Sequence, residues 1–433
     1  MRPGLRVLAL LALLPACGTD LFSAESGKPR GPTLRAEVDA LIVTDVRHQE
    51  LRRVPDGMAA YAYGDEPRHF RLDTSGNELS ASPMPTGRAI VTAFSADPTA
   101  GTAASVHPSA IVYYDASGAV GWKHEVSSQD VSGVAVRGQE VIVVGTSAKT
   151  SWLSGCKTKG VFIAWLGEDS CVRVVNDVLG TASRARGEAR DSTDLWVSSL
   201  ALAPDGSIAI GGSFEGSFAV DGEQLNAAST STDAFVAVFE SDGSPRFARV
   251  STATARGVYS LAFDASGSTL FAGGRLNDGK SKGPTFYGAS GARGVSGSSD
   301  GGSAFVTAFD AVTGDQRWFV TPGGASSEGG ATVWDVDAKG NILVTVPACT
   351  NSERDTEVLE GEADDSDATC VGAFDGATGA KVFLKRMGPG LGAVSLAPDA
   401  TGFWMAAPFV GRPDFGTGML LGGDAALVHY VYR

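Results

Sequence analysis

Apolar residues in this chain fall into short blocks separated by turn residues, in an order that repeats. A short apolar strand runs into a turn of the Asp-Gly type, and a second strand then ends in small residues. A long connection follows, and a third strand leads into another tight turn. The third-strand copies read Ile111-Val-Tyr-Tyr114, Phe162-Ile-Ala-Trp-Leu166, Phe235-Val-Ala-Val-Phe239, Phe305-Val-Thr-Ala-Phe309, Cys370-Val-Gly-Ala-Phe374 and Ala426-Leu-Val-His-Tyr430, with a degenerate copy at His69-Phe-Arg-Leu72. Copies recur about 40 to 73 residues apart, the range of four-stranded propeller blades that carry loop insertions. The pattern predicts an all-β fold: a single β-propeller of four-stranded antiparallel blades, seven in number.

The turns agree with this. The first turn of each unit is short, as at Pro204-Asp205-Gly206, Asp264-Ala-Ser-Gly267, Asp337-Ala-Lys-Gly340 and Pro398-Asp399-Ala400. The second turns include Asp73-Thr-Ser-Gly76, Asp115-Ala-Ser-Gly118, Ser241-Asp242-Gly243, Asp310-Ala-Val-Thr-Gly314 and Asp375-Gly-Ala-Thr-Gly379. Such residues join antiparallel strands. Gly211-Gly212 and Gly273-Gly274 are expected where blades narrow toward the axis. The sequence ends directly after a third strand, so the last blade lacks an outer strand. Ala40–Val46 (ALIVTDV) is β-prone and is expected to close the ring, since an unpaired edge invites aggregation.

Connections between second and third strands are long in most units, for example Glu215–Thr232, Arg275–Ser303 and Pro347–Thr369. In a propeller they emerge on one face, and insertions confined to one face mark a binding surface. Trp152, Phe286, Tyr287 and Phe415 lie in those connections and are the aromatics expected to offer contacts.

The amino terminus reads as an export signal. Arg2 and Arg6 precede the apolar stretch Val7 to Leu14, which is too short to span a bilayer. The run Leu14-Pro15-Ala16-Cys17-Gly18 resembles the bacterial lipobox. That resemblance implies cleavage after residue 16, acylation of Cys17, and, with Gly18 at the next position, the outer membrane. Residues 18–35 are rich in Gly, Pro, Ser and charge and lack apolar periodicity, so 17–35 reads as a tether and 36–433 as the propeller. Net charge is −14, and loss of Arg2 and Arg6 would make it more negative. Nucleic acid and anionic lipid are therefore poor partners. Four cysteines remain after Cys17, an even number in an oxidising compartment. Cys349 and Cys370 would face each other across the root of a long loop, leaving Cys156 and Cys171 as partners. That second bridge requires the Cys156 loop to fold back along its blade.

Two repeat types are recognisable. Gly212-Ser-Phe-Glu-Gly216 through Asp233-Ala-Phe-Val-Ala-Val-Phe239, and more loosely Asp414-Phe-Gly-Thr-Gly418 through Asp424-Ala-Ala-Leu-Val428, resemble the β-propeller repeats of bacterial secreted proteins and lipoproteins. Ala308-Phe-Asp310-Ala-Val-Thr313-Gly314-Asp-Gln-Arg-Trp318 looks like the tryptophan-docking motif of quinoprotein-type blades. Ala373-Phe-Asp375-Gly-Ala-Thr378-Gly379-Ala-Lys-Val-Phe383 matches it with Phe in place of Trp. The resemblance implies that this aromatic packs on the neighbouring blade. It is specific for fold and uninformative for function.

Candidate chemistry is sparse. Gly274-Arg-Leu-Asn-Asp-Gly279-Lys280-Ser281 fits GxxxxGK[ST], but Gly283-Pro284 and a Gly/Ser-rich stretch follow where a phosphate-binding helix is needed. It reads as a chance match. The acidic run Glu360–Asp367 lacks calcium-loop spacing. The five histidines (His48, His69, His107, His124 and His429) form no HExxH, and no GxSxG occurs. No cofactor, metal or catalytic residue is expected. The resulting expectation is an outer-membrane or cell-surface lipoprotein that binds or scaffolds a protein or glycan through its long-loop face. Alternatives are a polysaccharide hydrolase or lyase with carboxylates near the axis, and an envelope assembly factor.

Overall fold

The computed structural model describes residues 36–44, 47–54, 57–63, 68–83, 90–97, 101–107, 110–126, 131–180, 195–227, 232–251, 255–276, 286–287, 304–322, 324–325, 330–347, 349–350, 369–387, 391, 394–409 and 425–432. They form seven four-stranded antiparallel blades of a β-propeller. Blades 1 to 3 are meanders beginning with Arg47–Val54, Ile90–Asp97 and Val131–Arg137. Blades 4 to 6 begin with Leu195–Leu202, Ala255–Phe263 and Thr332–Val336, and blade 7 with Ser395–Pro398. These first strands contact one another around the ring and are the innermost of each blade. The expected signal segment 1–16, the tether 17–35 and Cys17 lie outside the described residues.

Each third strand is buried along nearly its whole length, and the reason is its two neighbours. Successive side chains of a strand point to opposite faces, and a blade has another blade on each face. Phe235, Ala237 and Phe239 pack with Ile142, Ile163 and Trp165 of blade 3. The intervening Ala234, Val236 and Val238 pack with Val258, Leu270 and Phe305 of blade 5. Both parities must be apolar, so the strand reads as an unbroken apolar run instead of an alternation. Small residues set the spacing nearer the axis. A Cβ on Gly273 of blade 5 would stand 2.6 Å from the Ala331 carbonyl oxygen and 3.0 Å from the Val333 nitrogen of blade 6.

The ring closes with its own amino-terminal strand. Ala36–Thr44 pairs antiparallel with Ala425–Tyr432, Ala36 opposite Tyr432 and Thr44 opposite Ala425. The closing strand thus begins four residues earlier than the β-prone segment marks it and stops at Thr44. Outer strands dock on the next blade's second turn. The Trp318 indole N–H donates to the Gly376 carbonyl at 2.9 Å, and the ring sits so close to Gly379 that a Cβ there would be 2.8 Å away. Phe383 stacks on Phe403 of blade 7 at 5.9 Å between centroids. Aspartates hold the turns from within. Asp73 accepts from the Ser75 and Asn77 amides at 2.8 Å, and Asp310 accepts from Val312 and Thr313.

The long connections do not rise from the face as a crown where they are described. In blade 3 the hairpin Glu140–Leu153 and Cys156–Leu166 breaks register between Ser147 and Ser151. Gly160 takes φ +60° there, and the tip turns back along the outer strand Cys171–Val175. The Cys171 amide donates to Ser154 O at 2.8 Å. Asn176 bridges the Lys159 amide and the Lys157 carbonyl, and Cys156 and Cys171 are disulfide-bonded with Cα atoms 5.6 Å apart. In blade 4 the insertion folds into a second hairpin, Ser217–Val220 with Glu223–Asn226, turned by Asp221 and Gly222, both with positive φ. Its Phe218, Val220 and Leu225 are buried against Phe214, Phe235 and Leu179. From the blade 5 connection, Phe286–Tyr287 adds a fifth strand to blade 4 by pairing with Val250 and Ser251. These insertions cover sheet edges that would otherwise present unpaired amides and carbonyls. Blades 1 and 2 make the same connection with residues 64–67 and 108–109 alone. Cys370 is disulfide-bonded and opens its strand opposite Val346; the Cys349 side chain lies outside the described residues.

Candidate binding face

The innermost strands carry the candidate site. Antiparallel connection places both short turns of a blade on one rim, so inner strands begin at the opposite rim, where the second-to-third connections also lie. Five of these strands slip register in their upper half and a sixth lower down, between Val333 and Asp335. Where side chains are described, the slips fall at Ser132, Ser198, Arg256, Tyr259 and Trp334. A bulge of this kind turns its extra residue out of the ladder and re-aims the side chain. Serines near the slips then tie neighbouring blades. Ser260 Oγ accepts from the Val333 amide at 2.7 Å, Ser395 Oγ accepts from the Leu51 amide at 2.7 Å, and Ser198 Oγ donates to Val258 O at 2.8 Å. These bonds tie the inner strand of blade 5 to those of blades 4 and 6, and that of blade 7 to that of blade 1.

Large side chains stay exposed there. Trp196 on blade 4 is 50% exposed and Tyr259 on blade 5 is 42% exposed; Arg256 is exposed one position past the start of the Tyr259 strand. Trp196 and Tyr259 belong to one surface. Trp196 pairs with Ser213, and a Cβ on Gly257 would stand 3.4 Å from the Ser213 Cβ and 3.1 Å from the Tyr259 ring. The ring also presses on Gly330 of the strand leading into blade 6. Deeper in the channel, Trp334 donates its indole N–H to Thr345 Oγ1 at 2.9 Å, and the Arg52 guanidinium of blade 1 lies 5.4 Å from the Trp334 ring centre. Burial beside it pushes the Asp335 carboxyl up, against the Val336 amide it accepts and the charges of Arg52 and Arg53.

Of the four aromatics expected from the sequence, the two whose side chains are described go elsewhere. Trp152 is 67% exposed, but on the blade 3 hairpin that folds away from this rim. Phe286 is buried as an edge anchor, 5.1 Å edge-on to Phe309. The Tyr287 side chain and Phe415 lie outside the described residues, as do the acidic run 360–367 and residues 277–285, which include Lys280 and Ser281 of the GxxxxGK[ST] match. Gly274 and Leu276 of that match belong to a strand.

Described histidines serve packing. His69 is buried, 2.8 Å from Thr102 Oγ1 and stacked on Tyr114 at 4.1 Å. Burial, then the nearby Arg71, lowers its pKa to about 3. His429 lies 2.6 Å from Asp399 Oδ2 on the short-turn rim and stacks on Trp404. Burial opposes ionisation of Asp399, but His429 and the Thr401 and Gly402 amides hold its carboxyl well below the usual range. His124 Nε2 reaches Gly167 O at 2.7 Å, tying blade 2 to blade 3. The side chains of His48 and His107 lie outside the described residues. The exposed face residues escaped sequence reading because none sits in a loop. Their signal was the triplets Val197-Ser-Ser199, Val258-Tyr-Ser260 and Val333-Trp-Asp335, which mark the slips.

No protein-family profile matches this chain, and no curated protein matches it. Among solved structures, it is similar to the Cps50 (Swd1) β-propeller domain of Myceliophteria thermophila, with TM-score 0.53 and 8% identity, covering 91% of this chain and 99% of that one. A chain of the mitotic checkpoint complex matches with TM-score 0.51 and 11% identity, over 95% and 100% of the two chains. BamB from Moraxella catarrhalis matches at 14% identity with TM-score 0.45, over 92% and 100%. At these identities the first two likenesses show the propeller fold alone.

Proposed function

We propose that this chain is an exported, lipid-anchored binding propeller that takes a protein partner on the rim where its inner strands begin. The observation that carries the reading is the pair Trp196 and Tyr259, half exposed on adjacent, hydrogen-bonded inner strands with Arg256 beside them. Trp, Tyr and Arg are the residue types that dominate binding energy at protein interfaces. Aromatics carried on hydrogen-bonded strands have few rotatable bonds to immobilise when covered. Anchoring follows from the lipobox-like run ending at Cys17, since several acyl chains hold a protein stably where one does not.

Crosslinking in cells, detergent extraction and affinity capture test the reading. A near-stoichiometric partner that is lost from the Trp196→Ala, Tyr259→Ala double variant is expected; a capture indifferent to that variant overturns the assignment of the face. Separately, Cys17→Ser should release the protein from the membrane fraction, and retention there would refute the anchor.

A further inference from the structure

We propose that the lipid anchor and the Trp196–Tyr259 face occupy opposite corners of the propeller, so that the protein partner is met in the aqueous space, clear of the bilayer. The inference rests on the readings of Cys17 as acylated and of the rim as a binding face, and adds where one stands relative to the other. The register of ring closure carries it. The third strand of blade 7, Ala425–Tyr432, starts after the long connection and therefore ends at the short-turn rim. Contacts of Tyr432 agree. Its amide donates at 3.1 Å to the carbonyl of Thr401, in the first turn of its own blade. The Lys339 ammonium, in the first turn of blade 6, lies 4.7 Å from its ring centre. Ala36 pairs with Tyr432, so the chain enters the propeller at the outer corner of that rim. Trp196 and Tyr259 belong to the other rim. Trp196 is the second residue of an inner strand that begins there, and the short turn Pro204-Asp205-Gly206 lies past the far end of that strand. Blade 4 is also three blades from blade 7, as far as a ring of seven allows. Entry point and face are thus separated both along the axis and across the ring.

Lengths decide whether the entry point governs the distance. Residues 18–35, read as a tether, would span roughly 20–25 Å as a coil. A third strand of eight residues runs about 25 Å from one rim to the other. Laying the Trp196–Tyr259 rim on the bilayer would lift the entry corner by that height, which takes up the whole mean span of the tether. Charge does not reverse the preference. Hydrogen bonds from Ser117 and Arg317 hold the Asp115 and Asp310 carboxyls of the entry rim below their ordinary range, so they stay ionised and repel anionic headgroups. At physiological salt that repulsion is screened within about 8 Å, well short of the tether. The short-turn rim therefore stands toward the membrane without adhering to it, and Trp196 and Tyr259 point into water.

Energy transfer to an acceptor at the membrane surface tests the arrangement, on the full-length lipidated chain in phosphatidylcholine vesicles. A donor on Ala400→Cys, in the exposed blade 7 turn beside the entry corner, should lie nearest the bilayer. A donor on Trp196→Cys should lie about 25 Å or more beyond it. Val312→Cys, 67% exposed in the second turn of blade 5, should fall between the two. Tyr259→Cys takes the place of Trp196→Cys should that variant fail to fold by circular dichroism. Equal distances, or position 196 nearer the bilayer than position 400, would overturn the proposal. Absence of transfer from every site, as expected of Cys17→Ser, would sink the anchor and this inference with it, and would leave the face standing. Distances in the expected order, with capture of a partner indifferent to Trp196 and Tyr259, would refute the face and the aqueous partner while leaving the orientation.

Discussion

His69 makes stability depend on pH in a way that can be isolated. Its ring is 1% exposed, stacked between strands on Tyr114 and paired with Thr102 of the next blade. Its pKa falls from 6.5 to about 3 through burial, reinforced by Arg71. In the unfolded chain the ring gains a proton below pH 6.5; in the folded chain it stays neutral until about pH 3. Stability from this group is complete above pH 6.5 and is lost as pH falls, because the unfolded state then binds one more proton. Each unit of pH removes about 1.4 kcal/mol, so lowering pH from 7 to 4.5 should cost roughly 3 kcal/mol from this ring alone. His69→Gln keeps an amide able to pair with Thr102 and cannot titrate. Urea denaturation at both pH values, on wild type and variant, subtracts the carboxylates common to both. The wild type should lose about 3 kcal/mol more than the variant. Equal losses, or an NMR titration of the His69 ring near 6.5, would refute the reasoning.

Trp318 tests the docking of blade on blade. Trp318→Ala opens a cavity beneath the Gly376–Gly379 turn and should cost about 3 to 5 kcal/mol. Trp318→Phe, which mainly leaves the Gly376 carbonyl without its donor, should cost nearer 1 kcal/mol by the same denaturation. The Cys156→Ser, Cys171→Ser double variant should lose about 3 kcal/mol of loop-closure stabilisation, and hydrogen exchange should quicken over residues 151–160 while Phe162–Leu166 stays protected. Non-reducing peptide mapping should join Cys349 to Cys370 as well as Cys156 to Cys171.

Much of the fold was legible because a propeller blade writes its environment into short sequence. A strand such as Phe235-Val-Ala-Val-Phe239 is unbroken in apolar character because it has a blade on each side. The Asp-x-x-Gly turns are legible because the aspartate side chain itself holds the turn amides. Ring closure was legible from the β-prone run within residues 40–46, and Ala36–Thr44 pairs with Ala425–Tyr432. The fate of the insertions was not. Phe218, Val220, Leu225 and Phe286 look like any loop apolar residues until the exposed edges of blades 3 and 4 are in place to be covered. The binding face was the least legible of all. Local periodicity determines which positions a strand buries, and so the sequence by itself determined the blades, their turns and their order. Which of the remaining exposed side chains meet is decided by ring geometry and by one-residue slips that turn Tyr259 and Trp334 out of their ladders. Trp196 and Tyr259 are 63 residues apart in the chain, and only the packing of blade 4 against blade 5 makes them one surface.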